Sequence, residues 1–235
     1  METASTPKLQ TNLDTNFIKV IAIISMTVDH IGSAFFPQYP VFRWIGRIAF
    51  PLFCYCLTVG MLYTHDIKKY FLRLGAFALI SQPFWILAFN ADDFWGNLLN
   101  LNIFFSLILS LAFTWGIKEK KWWIPAVCIL LLCLFNFDYA FTGPILMLIF
   151  YFCRNKPWLG ALLYTLSYLP ALNGYMEDTL ALKLGGHAIG FEIFALLALP
   201  LIYFHTKSNL KISKWFFYAF YPAHLFAIFL IRLFL

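Results

Sequence analysis

Residues 17–36 read FIKVIAIISMTVDHIGSAFF, and this stretch decides the fold. About 20 helical residues, at 1.5 Å of rise each, cross a hydrocarbon core of about 30 Å. Its ionisable groups are Lys19 near one end and the pair Asp29-His30 toward the other. The run is too long for a cleavable signal, it contains Asp29 and His30, and the 16 residues before it are polar. It reads as a retained first membrane helix behind a cytoplasmic tail at 1–16.

Outward from this helix the chain keeps the same character. Apolar residues make up 62% of its 235 positions and charged residues 12%, against about 45–50% and about 25% in an ordinary soluble domain. So little charge cannot cover a water-facing surface, which excludes a soluble globule and a disordered chain. Further apolar runs at 41–63, 70–89, 98–116, 122–137, 139–152, 158–172, 188–204 and 215–235 predict helices. Helices close their own backbone hydrogen bonds in lipid, and no alternating barrel pattern is present.

Charge orders these runs, because Lys and Arg collect in cytoplasmic connections. Basic groups cluster at Lys68, Lys69 and Arg73, at Lys118, Lys120 and Lys121, at Arg154 and Lys156, and at Lys207, Lys211 and Lys214. Between them lie Asp92 and Asp93, then Asp138, then Glu177 and Asp178. Splitting 122–152 into two short helices keeps all four basic connections on one side. The expectation is an all-α bundle of about nine transmembrane helices, N-terminus cytoplasmic, with 17–235 forming a single integral-membrane domain. Topology thus accounts for the formal charge of +6, and no nucleic-acid partner is expected. The five cysteines, in or at the ends of apolar runs, read as small core residues, with no metal site.

Ionisable residues inside spans are costly and mark functional sites by default. Here they are Asp29, His30, Arg47, Glu192 and His224, with Lys19, Arg43, Arg73 and Arg232 nearer span ends. Asn16, Lys19, Met26 and His30 share one helical face, with Lys19 at the cytoplasmic mouth and His30 about 16 Å deeper. Asp29 is turned about 100° from His30, so the two are expected to address different partners. If the first two helices form a hairpin, Arg47 comes level with Asp29 and cancels its charge, and Pro51 kinks the second helix just beyond. His224, near the middle of the last helix, reads either as a helix-to-helix hydrogen bond or as a second reactive group. Ser81-Gln82-Pro83 and Asn97, Asn100 and Asn102 read as interhelical hydrogen bonding, and Glu192 must be paired, protonated or open to water.

Four segments in order, Ile18-Lys19 leading to Asp29-His30-Ile31, Gly46 through Phe53, Asn102 through Phe105, and Phe217 through Leu225, resemble the TraX family. That family comprises multi-span bacterial inner-membrane proteins linked to N-terminal acetylation of pilin and to fimbrial assembly. It is distantly similar to membrane acyltransferases carrying a basic residue eleven positions before a first-helix histidine, a spacing that Lys19 and His30 match with Lys in place of the usual Arg. The resemblance implies an acetyl-CoA-dependent N-acetyltransferase in the inner membrane, with a pilin or fimbrial subunit as acceptor. It implies that Lys19 pairs with a CoA phosphate and His30 is the general base or acyl carrier. Asp29 and Arg47 position the helix hairpin, and His224 is a second acid–base candidate. A non-enzymatic assembly factor for fimbriae and a small-solute transporter are the alternatives, the second disfavoured by the lack of an internal repeat.

Overall fold

The computed structural model describes residues 9–135 and 137–235. Helix α1 spans Thr15–Phe35, starting where Asp14 accepts a hydrogen bond from the Phe17 N–H. The side-chain oxygen satisfies one of the donors that every helix N-terminus leaves open. The next run divides into α2 (Val41–Gly46) and α3 (Ala49–Tyr63), with Arg47 and Ile48 between them. Pro51 explains the division. It has no N–H to give the carbonyl four residues back, which is that of Arg47, and its ring crowds that carbonyl.

Helix α4 (Ile67–Phe89) is capped by Asp66, and α5 (Ile103–Lys118) by Asn102, which accepts from the Phe104 N–H. The run expected to begin at 98 is helical only from Ile103, because Gln82 of α4 holds the preceding turn. Gln82 Nε2 donates to the Asn100 carbonyl at 2.9 Å, while Asn102 Nδ2 donates to Gln82 Oε1 at 2.8 Å and to the Ala78 carbonyl at 2.8 Å. Gln82 and Asn102 thus form the interhelical hydrogen bonds expected of them. Ser81 Oγ, in contrast, is buried without a partner among the described residues, and the Asn97 and Asn100 side chains bond within their own loop, Asn97 Nδ2 donating to the Asp93 carbonyl and Asn100 Nδ2 to Asn97 Oδ1.

Residues 122–152 form two helices, α6 (Trp123–Leu134) and α7 (Thr142–Phe152), followed by α8 (Pro157–Ser167). Two features depart from the all-helical expectation. Strands β1 (Leu182–Leu184) and β2 (His187–Ile189) pair antiparallel, and the run expected to be helical from 188 begins as a 3₁₀ segment, Phe191–Ala198, that becomes α9 (Leu199–Tyr203). Gly185 and Gly186 carry φ of +54° and +82°, the twin left-handed positions of a two-residue hairpin turn, which glycine adopts without strain. Helix α10 (Lys214–Leu233) closes the chain.

Among the described residues, four segments are long and apolar enough to cross a membrane: Thr15–Phe35, Val41–Tyr63, Ile67–Phe89 and Lys214–Leu233. Helices α6, α7 and α8, of 12, 11 and 11 residues, are shorter than a straight crossing needs. Their outward faces carry exposed Val127, Leu130, Leu134, Ile145 and Leu162, as lipid contact requires. Cys133 is exposed there too, correcting its reading as a core residue, while the other four cysteines are buried.

Helices α1, α4 and α10 run in the same direction. Lys19 lies over the Phe217 ring and Phe77 stacks on Tyr218, while further along all three helices His30 meets Phe89 and His224. The basic connections gather where these helices start. Gln10 N donates to the Arg154 carbonyl at 3.1 Å, Asn16 Nδ2 to the Leu210 carbonyl at 2.8 Å, and Phe71 packs against Trp115 just before the lysines that follow α5. Of the tail expected at 1–16, residues 1–8 lie outside the described residues. Residues 11 and 12 pack inside, with Tyr55 Oη donating to Thr11 Oγ1 at 2.8 Å.

Candidate functional site

Two clusters of buried polar groups occupy the end of the bundle opposite the basic connections. The first is charged. Asp29 is 7% exposed and receives Arg47 Nη2 at 3.0 Å and Arg43 Nη1 on its other oxygen. A carboxylate out of water demands compensation, and two guanidiniums, one on α2 and one just past its end, provide it. The Asp29–Arg47 pairing was expected from depth alone. Arg43 was read as a span-end residue, yet it sits four residues before Arg47, one turn away on the same face.

This contact needs Gly46. A Cβ at that position would land on the Asp29 carboxylate, so only glycine lets α2 approach α1 closely enough for both arginines to reach. Arg47 also lies over the rings of Tyr139 and Phe191, at 5.2 Å and 4.9 Å, which confines its guanidinium. Tyr139 takes a left-handed φ of 61° in the turn before α7 and stacks on Phe50.

The second cluster is a histidine pair. His30 Nδ1 and His224 Nε2 are 2.8 Å apart, and the rings stack with centroids 5.0 Å apart. His224 Nδ1 lies 3.0 Å from the Phe220 carbonyl, an oxygen that can only accept. The proton arrangement of a neutral pair follows. His224 carries its proton on Nδ1, so its Nε2 is a lone-pair acceptor and His30 must donate from Nδ1. His30 Nε2 is therefore the unprotonated nitrogen, and among the described residues it receives no hydrogen bond. Phe89, Trp85 and Tyr221 surround the His30 ring and fix its plane.

Both clusters face one cavity of about 710 Å³, lined by Asp29, His30, Arg43, Arg47, Glu192 and Asp138 among others. Asp29 and His30 were expected to address different partners. They do bond to different helices, yet they share this cavity because its wall spans a quarter-turn of α1. Glu192 is exposed at the start of the 3₁₀ segment and makes no salt bridge among the described residues. Lys19 is elsewhere, in an adjoining cavity of about 560 Å³ at the other end of the bundle. His187 is exposed, with Nε2 2.8 Å from the Leu172 carbonyl, and belongs to neither cluster.

The arrangement combines an oriented neutral imidazole, a desolvated carboxylate neutralised by arginines, and a cavity wide enough for a substrate. It suits proton abstraction from a nucleophile held beside His30.

The TraX protein family matches residues 14–232, which is most of the chain. The probable fimbrial assembly protein FimC, serogroup H1, of Dichelobacter nodosus is 29% identical over 229 aligned positions, covering 88% of this chain and 91% of that protein. A shorter similarity, 48% identity over 40 residues, joins 17% of the chain to 16% of the uncharacterized protein RP591 of Rickettsia prowazekii (strain Madrid E). No solved structure matches. The chain belongs to the TraX family.

Proposed function

From this family membership, we propose that the protein is a bacterial inner-membrane N-acetyltransferase. It takes an acetyl group from acetyl-CoA and places it on the terminal amine of a pilin or fimbrial subunit during fimbrial biogenesis. The observation that carries the reading is the His30–His224 pair, which leaves His30 Nε2 as a free base beside a polar cavity. The relative named for fimbrial assembly supports the choice of acceptor.

The reaction forms one N–C bond and breaks one C–S bond. As the acceptor nitrogen attacks the thioester carbonyl, His30 Nε2 removes its proton, and that proton is returned to the departing CoA sulfur. His224 holds the tautomer, while Asp29, with Arg43 and Arg47, holds the α1–α2 corner that forms the cavity wall. In this reading the chain crosses the membrane nine times with its N-terminus inside. The basic connections then face the cytoplasm, where acetyl-CoA is made, and the His30 cavity lies toward the far side, where subunits assemble.

The test co-expresses a cognate pilin with wild type or His30→Ala and measures intact pilin mass. Pilin from wild-type cells should carry one extra acetyl group, and pilin from His30→Ala cells should lack it at equal membrane levels of the protein. Unacetylated pilin in wild-type cells, with pilin yield alone depending on the protein, would establish the assembly-factor reading instead.

A further inference from the structure

The His30 cavity and the cavity that Lys19 shares with Arg73 and Lys214 meet along one partition, built of the four side chains that line both: Met26, Phe53, Ile103 and Tyr221. Of these four side chains, Tyr221 alone carries a hydrogen-bond donor. Tyr221 is 3% exposed, and its hydroxyl is closed to water, with no hydrogen-bond partner among the described residues. The Ile103 N–H, at the start of α5, approaches the phenol oxygen without bonding to it, so the hydroxyl proton is directed away from α5. A buried hydroxyl left unpaired is costly and calls for a reason. The ring that carries it is held on three sides. Phe104 meets it edge-on with centroids 4.9 Å apart, the His224 ring lies at 5.3 Å and the His30 ring at 6.2 Å. Tyr221 and His224 are three residues apart on α10, so one helical face presents both.

Acetyl transfer needs a donor that the histidine pair does not supply. As the acceptor nitrogen attacks the thioester carbonyl, an electron pair moves onto the carbonyl oxygen, and it returns as the C–S bond breaks. His30 gives its Nδ1 proton to His224 and uses Nε2 as the base, while Arg43 and Arg47 are engaged by Asp29. We propose that the Tyr221 hydroxyl donates a hydrogen bond to that oxygen, which makes Tyr221 a catalytic residue of the transfer. The hydroxyl keeps its own proton throughout, and the acceptor's proton still passes through His30 Nε2 to the sulfur. The Tyr221 ring flanks the His30 ring, so a carbonyl under attack at His30 comes within reach of the phenol. A donor fixed in place and shielded from water acts where such a bond is strongest. The inference rests on the acetyltransferase reading.

Tyr221→Phe removes the oxygen and keeps the ring. The full-length protein in phosphatidylcholine nanodiscs is given acetyl-CoA and a pilin peptide with a free terminal amine, and transfer is followed by mass spectrometry. In Tyr221→Phe, kcat should fall about 10²- to 10³-fold, the loss expected for one oxyanion donor, while KM for acetyl-CoA stays within about twofold. Its melting temperature should hold or rise, because the variant deletes an unpaired buried donor. Transfer by Tyr221→Phe at the wild-type rate, or a raised KM at unchanged kcat, overturns the assignment and leaves the acetyltransferase reading standing. A wild type that transfers no acetyl group removes both. Should Tyr221→Phe melt lower than wild type, Tyr221→3-fluorotyrosine, with the same ring and a more acidic hydroxyl, decides the matter: a rate at or above wild type sustains the donor role, and a lower rate overturns it.

Discussion

His30 Nδ1 and His224 Nε2 share one proton across 2.8 Å, and the Phe220 carbonyl beyond His224 determines which ring carries it. The basic nitrogen of His30 is thus set by a backbone oxygen on another helix. His224→Ala leaves a buried N–H unpaired, a cost of about 1–3 kcal/mol, and frees His30 to turn or to change tautomer. Acetyl transfer should fall by about 5- to 150-fold, less than the about 10²- to 10⁴-fold expected for loss of the base itself. His224→Gln offers a carbonyl to His30 and an amide to Phe220, and should retain more activity than His224→Ala. Single-turnover transfer to a pilin peptide, followed by mass spectrometry, ranks the three variants.

Asp29 neutralises two arginines, and its removal leaves both uncompensated. Asp29→Ala should destabilise the protein by about 3–5 kcal/mol, as breaking a buried pair does. Arg43→Gln should cost less, because the Arg43 side chain is 26% exposed against 11% for Arg47, and water screens it. Thermal unfolding in detergent, monitored by tryptophan fluorescence, should order the variants Asp29→Ala, Arg47→Gln, Arg43→Gln from least to most stable.

Gly46→Ala tests the same corner without touching a charge. Its methyl group would occupy the Asp29 carboxylate's place, so the ion pairs should open and thermal stability should fall nearly as far as in Asp29→Ala. Gly75, in α4, has nothing within 4 Å of a built Cβ, so Gly75→Ala should stabilise by about 0.5–1 kcal/mol through helix propensity. Equal behaviour of the two alanines in a melting experiment would contradict the close approach at Gly46.

Asp14 ties the start of α1 to the segment before α10. Partial burial alone would raise its pKa, but hydrogen bonds from the Ser208 backbone and side chain, the Phe17 N–H and the Thr206 hydroxyl outweigh it and lower the pKa from its usual value. A depressed folded-state pKa contributes stability above the unfolded value of about 3.9, and that contribution is lost as pH falls through the folded value. Acidification below about pH 4 should therefore loosen this junction first. Hydrogen exchange at the Phe17 and Ser208 amides should accelerate there in wild type, and Asp14→Asn should show the faster exchange already at neutral pH.

What the sequence revealed and what it concealed divide along a physical line. The run at 17–36 and the alternation of basic and acidic connections were legible because the bilayer imposes length and charge rules on each segment separately. Asp29–Arg47 was legible because a hairpin matches depths. The His30–His224 bond was not, since it joins residues 194 positions apart and requires knowing that α1 and α10 are neighbours. Arg73 and Lys214 were read as topology signals in cytoplasmic connections. Their convergence with Lys19 appears only when the starts of three parallel helices come together. The hairpin at 182–189 was missed because three-residue strands leave almost no periodicity, although Gly185-Gly186 is its turn signal.

Gln82 connects the polar framework to the partition between the two cavities. It pins the turn before α5, Ile103 follows directly from that turn, and Phe104 meets Tyr221 edge-on with centroids 4.9 Å apart. Gln82→Leu keeps side-chain bulk but leaves the backbone N–H and one side-chain N–H of Asn102 without an acceptor, at a cost of about 1–3 kcal/mol for each buried donor. The start of α5 should fray and the partition at Ile103 should shift, while the His30–His224 and Asp29–Arg47 contacts, on other helices, stay intact. Activity should therefore decline through a higher KM for acetyl-CoA more than through kcat, with stability reduced by a few kcal/mol. A fall in kcat at unchanged KM would place Gln82 in support of the histidine pair instead of the partition.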